Sequence, residues 1–516
     1  MNRNLASDFE RRAQSDPTAR GLLHEDGRTW TWAGLDAAAA DVAEILRGAA
    51  PEGGRVAVHL ANSPELVITM LGSWKAGMVP VAVSGLYNGD ELAKCVAQVG
   101  PAVLVTDPAN DPGGNHVLVE PERVTKVLVS HEGADHADHV VRPSPEPGAE
   151  DEGVVLFTGG TTGTPKPVSL AHVGTYQSMS NLVRAQKGRP GPLPTCPPEL
   201  PPNLLALPLF HSGGLQSLLV ALHLGRSVIL LERFSVDRIA QLVPEHGVDN
   251  LFLLPTMIYD LARADETPDL TSVRRVLVAG QRLDPVLQAE FESRFGVMVL
   301  SNYGSTELGH VAGWTGPDLK AGRWKAGAVG RIYDGVEVEI RNEAGAVVST
   351  GEVGELWVKS KRTKGYVAEG DTEAGDLMVD GWIRSGDMGR LDDDRTLYLV
   401  GRRRELIKTG GFQVWPAELE QVVRSVPAVD DAAVVGLPDA RLGEVPAAAV
   451  VLRPGAGDVS VIGQEVMDLC REKLSHFKAV RAVYVLDELP RSEAGKVKRD
   501  EIEQQLAEQE PVAVRA

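Results

Sequence analysis

Positive charge is scarce in this chain. Across 516 residues, 52 Lys and Arg stand against 71 Asp and Glu, a formal net charge of −19. A nucleic-acid partner needs a basic face for its phosphates, so that class is disfavoured, and the acidity reads as a solubility feature. Cysteine is scarcer still. Cys95, Cys196 and Cys470 are far apart and lack the paired spacing of a zinc site, so they read as reduced structural thiols. Long apolar runs are missing. The opening MNRNLASDFERRAQSD has no apolar core of the signal-peptide kind, and later apolar segments are short and interrupted; both point to a cytoplasmic protein with no membrane span. No internal repeat stands out. A composition 43% hydrophobic is ordinary for a soluble protein, and the length exceeds one core, which implies two or more domains.

What is present begins with Leu156 to Lys166, LFTGGTTGTPK, a strand pattern running into a loop. Gly159, Gly160 and Gly163 let backbone N–H groups close on phosphate oxygens, Thr158, Thr161, Thr162 and Thr164 carry hydroxyl donors, and Lys166 adds a point charge. The composition suits a polyphosphate. It is not the nucleotide loop of kinases and GTPases, which needs Gly-Lys-Ser/Thr followed by a helix, because Pro165 and Pro167 flank the lysine. A Gly/Thr-rich loop by itself is most often just a turn, so other motifs must carry a function.

The chain alternates β-branched segments with helical patterns. Arg55 to Leu60, an amphipathic Pro64 to Ala76, and Met78 to Val83 set the order; Ala102 to Val105, Ser227 to Leu231 and Val276 to Val278 continue it. This predicts parallel sheets with crossover helices. From about Gly330 the pattern becomes antiparallel, with Val336 to Ile340 and Gly354 to Val358 separated by the turn Asn342-Glu343-Ala344-Gly345. The charged stretch 135–152 reads as a surface loop and the Pro-rich 188–202 as mobile or lid-like. Asp392-Asp393-Asp394-Arg395 is a turn, 396–400 a strand, and Gly401 to Glu405 a charged joint before a new α+β pattern. The tail after Ile502 reads as a frayed helix.

Four further motifs follow the loop in order: Tyr303-Gly304-Ser305-Thr306-Glu307; Gly381-Trp382-Ile383-Arg384-Ser385-Gly386-Asp387; Gly401-Arg402 with Lys408-Thr409-Gly410-Gly411; and Pro490-Arg491-Ser492 with Gly495-Lys496. Together with Phe9 to Arg12 and Gly27 to Trp32 near the start, the set resembles the acyl-adenylate-forming (AMP-binding) superfamily, nearest in pattern to acyl-CoA synthetases. The resemblance implies an α/β fold. A large N-terminal domain, 1–403, would hold two parallel-sheet subdomains and a small β-barrel, and a mobile α+β domain, 404–516, would turn about a hinge at Arg404. The implied reaction joins a carboxylate to ATP to give acyl-AMP and pyrophosphate, then moves the acyl group to the thiol of CoA. ATP, Mg²⁺ and CoA are the expected cofactors.

The same resemblance distributes roles. Thr161, Thr162 and Lys166 would hold the β- and γ-phosphates, Thr306 would donate to the α-phosphate, and Glu307 would take Mg²⁺ directly or through water. Tyr303 would stack on adenine, with Asn302, Gly280, Gln281 and Gly304 around it. Asp387 would accept from the ribose hydroxyls, supported by Arg402. Lys496, on a flexible loop, would reach the carboxylate and the α-phosphate and be withdrawn by rotation, which would bring Lys408, Gly410 and Gly411 to the thiol's pantetheine arm. No carrier-attachment Asp-Ser of the expected kind occurs in the chain, so the thiol is expected from outside, as CoA or a separate carrier protein.

Leu207-Pro208-Leu209-Phe210-His211-Ser212-Gly213-Gly214 bears on the acid. In acyl- and aryl-CoA synthetases the matching histidine or aromatic gates the acyl channel; amino-acid activators usually keep Asp there, to pair with the α-ammonium. His211 therefore disfavours an α-amino acid, and the two glycines after it would leave room for a hydrophobic acid. Three departures from the pattern stand out: Gly159 where serine is common, Pro167 where glycine is common, and Gln281-Arg282 where small residues or Pro are usual. Arg282 could favour an acid with a second polar group. A luciferase-like oxygenase and a non-adenylating transferase share the architecture; retention of Glu307 and Lys496 argues against the second.

Overall fold

The computed structural model describes all residues except 1–2, 135–139, 142, 149, 159–164, 188–199, 282, 368–376, 493–494 and 515–516. It separates into two compact units, one made of Met1–Glu337 and Val358–Ile383, the other of Val338–Trp357 and Arg384–Ala516. In the first unit, a seven-stranded sheet has the parallel strands Glu152–Thr158, Val79–Ser84, Arg55–Leu60, Val103–Val105 and Val117–Val119 at its centre and one side. Its other side is antiparallel, formed by Lys166–Ala171 and Thr363–Tyr366. The expected crossover helix spans Pro64–Lys75, starts on the Ser63 hydroxyl, which accepts from Leu66 N at 3.2 Å, and has Pro64 in its first turn. The sequence suggested an amphipathic helix; instead it is buried on nearly every side, Lys75 included. Lys75 is accommodated by Glu10 at 3.0 Å and by Asp36 at 2.8 Å.

A second run of parallel strands, Asn250–Leu253, Arg275–Val278 and Met298–Ser305, then reverses into the antiparallel Gly309–Gly313. Ligands of open α/β sheets gather beyond the carboxyl ends of parallel strands. The turn that follows Ser305 lies at such an end. A smaller sheet of Thr29–Thr31, Arg20–His24, Val228–Leu230 and Asn203–Leu205 completes this unit's main layers.

Most of the second unit divides into an antiparallel region and an α+β region. The first contains Thr396–Arg402 and the greater part of Glu337–Arg341, Gly354–Lys359 and Trp382–Leu391, whose remaining residues count with the first unit; the four strands are successive neighbours in an open order among the described residues. Its first turn is the expected one, with Gly345 at φ 81 and its N–H donating to Asn342 O at 2.9 Å. The α+β region has a sheet built on the long hairpin Val429–Asp439 and Gly443–Leu452, with helices Pro416–Arg424, Val459–Lys473 and Arg499–Ala507. The last helix is not frayed: Ile502 and Leu506 are buried, and Ala513–Val514 returns as a strand against Ala482–Val485. Cys95 and Cys470 are free and buried, and burial pushes their thiols up to about 12 and about 11, so neither is poised to react. Cys196 lies outside the described residues. Among the described residues no helix is long and apolar enough to cross a membrane.

Candidate active site

The phosphate-loop residues Gly159, Gly160, Thr161, Thr162, Gly163 and Thr164 lie outside the described residues, but the strands that carry them do not. Thr158 and Lys166 are register partners at the end of an antiparallel pair, and the Thr158 hydroxyl donates to Lys166 O at 3.3 Å. A strand, not a helix, follows the lysine, which is the structural counterpart of the missing Gly-Lys-Ser/Thr signature. Lys166 Nζ stands 5.6 Å from the ring centre of Tyr366, on the neighbouring strand of the same sheet.

Ser305, Thr306 and Glu307 lie in a tight turn of the first unit. Ser305 pairs with Gly309, leaving three residues to turn the chain. The turn closes because Gly304 has no side chain: a Cβ there would stand 1.9 Å from Gly309 O. The Ser305 hydroxyl donates to Glu307 Oε2 at 2.8 Å and accepts from Leu308 N at 3.2 Å. Glu307 is thereby oriented while remaining half-buried. Tyr303, one residue before the glycine, is likewise half-buried.

Asn302 is different. It is buried, its amide nitrogen lies 3.0 Å from His310 Nδ1, and its oxygen accepts from the Tyr333 hydroxyl at 2.8 Å. The amide that the sequence offered to the adenine edge is thus engaged inside the unit. Gln281 has the opposite character: its Nε2 is buried with no hydrogen-bond partner among the described residues. An orphaned donor costs about 1–3 kcal/mol, which a ligand acceptor would recover. Gly280, beside it, adopts φ 90, a conformation that favours glycine. Arg282 lies outside the described residues.

His211 is the residue just before the helix Ser212–Leu224, its ring 4.8 Å from that of Phe210. The two glycines after it do different work. At Gly213 a Cβ would meet Leu207 and Phe252 at 3.5 and 3.6 Å, ordinary contact, whereas at Gly214 it would lie 2.1 Å from Pro208 O. Gly214 is required by the close approach of helix and backbone, so it does not provide the room expected of it.

In the second unit, Asp387 and Arg402 face each other across an antiparallel pair, and Arg402 Nε donates to Asp387 Oδ1 at 3.1 Å. Ser385 fixes the backbone by accepting from Asp387 N at 3.0 Å. Arg404 sits in a short 3₁₀ turn, Arg403–Glu405, and feels the charges of Arg402, Glu405, Asp387 and Asp500. The joint is salt-bridged: Arg403 reaches Glu355 at 3.4 Å and Arg499 reaches Glu405 at 3.5 Å. Lys408 is exposed, and Gly410 and Gly411, at φ 55 and 85, make the two-residue turn of a hairpin in which Thr409 pairs with Phe412. That turn alone demands both glycines. Lys496 is exposed on a loop whose ends are tied by Ser492 N donating to Lys496 O at 2.8 Å and Gly495 N donating to Ser492 O at 2.7 Å; the expected flexible loop has a pinned base.

Sequence reasoning missed Arg362, His310, Gln216 and Tyr333. All are buried around the Thr306 turn or its strands, and nothing in the charged run Lys359 to Lys364 distinguishes a buried arginine from solvated neighbours. Arg362 Nε donates to Thr306 O at 2.9 Å. Burial, with Arg362 beside it, holds the His310 imidazole down at about 3, so it is neutral.

The residues present suit a magnesium nucleotide. Mg²⁺ is typically held by one or two carboxylates with the substrate's own phosphates. Among the described residues no cluster of three or more His, Cys, Asp or Glu stands ready to hold a metal by itself. Glu307, oriented by Ser305, would be the protein's carboxylate.

Comparison with known proteins fits this geometry. Residues 9–367 match the family described as AMP-binding enzyme, and residues 418–496 its AMP-binding enzyme C-terminal domain. The 4-coumarate–CoA ligase 5 of Oryza sativa subsp. japonica is 30% identical over 522 residues, covering 97% of this chain and 94% of the relative. ATP-bound MatB from Rhodopseudomonas palustris superimposes with a TM-score of 0.85 at 26% identity, covering 98% of this chain and 99% of that one. The o-succinylbenzoate coenzyme A synthetase MenE of Bacillus subtilis, in complex with ATP and magnesium ion, gives 0.80 at 28% identity, covering 96% and 98%.

Proposed function

The chain belongs to the family of AMP-binding enzymes, and from that premise we propose that it is an AMP-forming acid:CoA ligase. One observation carries the reading: its likeness to a CoA ligase runs over 97% of the chain, so the adenylating part and the C-terminal part are both matched. In the first half-reaction a carboxylate oxygen attacks the α-phosphorus of ATP, the bond to the bridging oxygen breaks, and pyrophosphate leaves. In the second, the CoA sulfur attacks the acyl carbon of acyl-AMP, the thiol proton is lost, and AMP leaves.

Two anions meet in the first step, so this chain's task is to supply donors and positive charge where negative charge accumulates. Lys166 and the threonines before it would hold the outer phosphates, Thr306 would donate to the α-phosphate, and Lys496 would approach the carboxylate. Magnesium, when bound, would neutralise phosphate charge, and Glu307 would anchor it. Tyr303 and Gln281 would face the adenine, the latter through its orphaned Nε2, and Asp387, held by Arg402, would accept from the ribose. The two steps would be divided by rotation of a domain 404–516 against 1–403 about Arg404, bringing Lys408 and the hairpin Gly410-Gly411 to the thiol.

The acid would be a hydrophobic carboxylate without an α-ammonium, because His211 stands where an amino-acid activator keeps a carboxylate. Relatives named for 4-coumarate and o-succinylbenzoate put aryl acids first. The acceptor is CoA, with a separate carrier protein as the variant to test, and the setting would be the cytoplasm. A panel of aryl, alicyclic, medium-chain and α-amino acids, assayed for ATP-dependent pyrophosphate release with CoA and with hydroxylamine, decides these points. Preference for α-amino acids over their desamino analogues would overturn the substrate reading. Activity with hydroxylamine and none with CoA would redirect the acceptor to a carrier protein.

A further inference from the structure

An arginine that no motif singles out is sealed inside the first unit. Arg362 is 0% exposed. Its backbone is pinned, since Ala171 N donates to Arg362 O at 2.7 Å, and a Cβ at Gly174 would stand 2.4 Å from Arg362 Cα. Its guanidinium spreads over partners far apart in sequence. Nε donates to Thr306 O at 2.9 Å and Nη2 to Ser212 Oγ at 3.3 Å. The Gln216 amide lies between guanidinium and His310; with its carbonyl turned to the arginine it accepts from Nη1 at 3.2 Å and Nη2 at 2.9 Å. Gly309 leaves room for both Ser178 and the arginine stem: a Cβ there would stand 2.2 Å from Ser178 Oγ and 3.0 Å from Arg362 Cδ.

Burying a guanidinium is costly, and burial pulls this one's pKa down to about 10 while the charge of Glu307 opposes the pull. What the cost secures is position. The Thr306 carbonyl belongs to the peptide joining Thr306 to Glu307, so the bond from Nε fixes the plane that orients both residues. Ser212 opens the helix immediately after His211. A planar five-donor fork can hold these groups at once; a lysine's single ammonium cannot reproduce the geometry.

We propose that Arg362 is a positioning residue of the adenylation step, a buried clamp that holds the Thr306–Glu307 peptide in register with the start of the His211 helix. This rests on the adenylation reading of the preceding subsection. The test compares wild type with Arg362→Lys and Arg362→Met in acid- and Mg²⁺-dependent pyrophosphate release, and in thioester formation from supplied acyl-AMP and CoA. The ratio of the two rates within one preparation is independent of the folded fraction. Loss of a charge-assisted hydrogen bond at the reacting turn should lower that ratio about 10- to 100-fold in Arg362→Met. It should also raise the Mg²⁺ concentration for half-maximal release, with Arg362→Lys falling between. An unchanged ratio, whether both rates fall together or neither falls, would overturn the proposal. A wild type that releases no pyrophosphate with any acid would instead remove the adenylation reading beneath it.

Discussion

Gly304→Ala is the smallest change that should disable adenylation. The added methyl would start 1.9 Å from Gly309 O, against the 3.4 Å at which ordinary contact begins, so the two sides of the turn must separate by about 1.5 Å (3.4 less 1.9). Gly304 does not have a positive φ, so the contact, not backbone conformation, is the source of the effect. Thr306 and Glu307 ride on the displaced segment. A misplacement of about 1 Å at a reacting centre can cost on the order of 100-fold, equivalent to about 2.7 kcal/mol. The assay is acid-dependent pyrophosphate release under saturating ATP, beside thioester formation from supplied acyl-AMP as an internal control. The first should fall about 100-fold and the second much less. Wild-type adenylation in a variant that carries this methyl would refute the claim that the Ser305–Glu307 turn is where the phosphates and metal are handled.

Lys496→Ala should lower adenylation by about 100- to 1000-fold, the value of one transition-state charge contact, and leave thioester formation from supplied acyl-AMP near its original rate; equal loss in both would remove the lysine's assignment. Acid should destabilise the first unit through His310, whose folded pKa of about 3 lies below its ordinary value of 6.5. The neutral form is favoured by folding, so this contribution is complete above pH 6.5 and fades as pH falls toward 3, by about 1.4 kcal/mol per unit at most. Urea midpoints measured at pH 7 and pH 5 should therefore separate, and His310→Gln should narrow the gap; an unchanged gap would mean that other groups set it. Lys75→Ala removes the buried cation that faces Glu10 and Asp36; Glu10 keeps its bond from Ser144 N at 2.9 Å, but Asp36 is fully buried, and the change should cost about 3–5 kcal/mol in the unfolding of the first unit, measured by urea denaturation. A loss below about 1 kcal/mol would show that solvent reaches those carboxylates.

Much of the fold was legible because its signals are local. Runs such as Arg55 to Leu60 became parallel strands, and Ser63-Pro64 started its helix as capping chemistry requires. The helix misread as amphipathic shows where locality ends: whether Lys75 faces water depends on Glu10 and Asp36, which precede it by 65 and 39 positions, and spacing along one helix carries no word of them. The site divides in the same way. Tyr303 to Glu307, Asp387 with Arg402, and Lys496 are marked by sequence motifs, and the structure gives each a definite local geometry. Arg362 acts through Thr306 and Ser212, 56 and 150 residues distant, so its burial becomes visible only when the chain is folded. The glycines stand out in the sequence, but three of them for a different reason: Gly214 answers the Pro208 carbonyl, and Gly410 with Gly411 a hairpin's positive φ.

The central claim is that ATP is cleaved between its α- and β-phosphates with the acid as partner, before any thiol takes part. Exchange of labelled pyrophosphate into ATP, measured with Mg²⁺ and an aryl acid but without CoA, tests it most directly. The account predicts exchange that requires the acid, falls sharply in Glu307→Ala, and drains into acyl-CoA and AMP when CoA is added. Formation of ADP and inorganic phosphate with no acid-dependent exchange would contradict it.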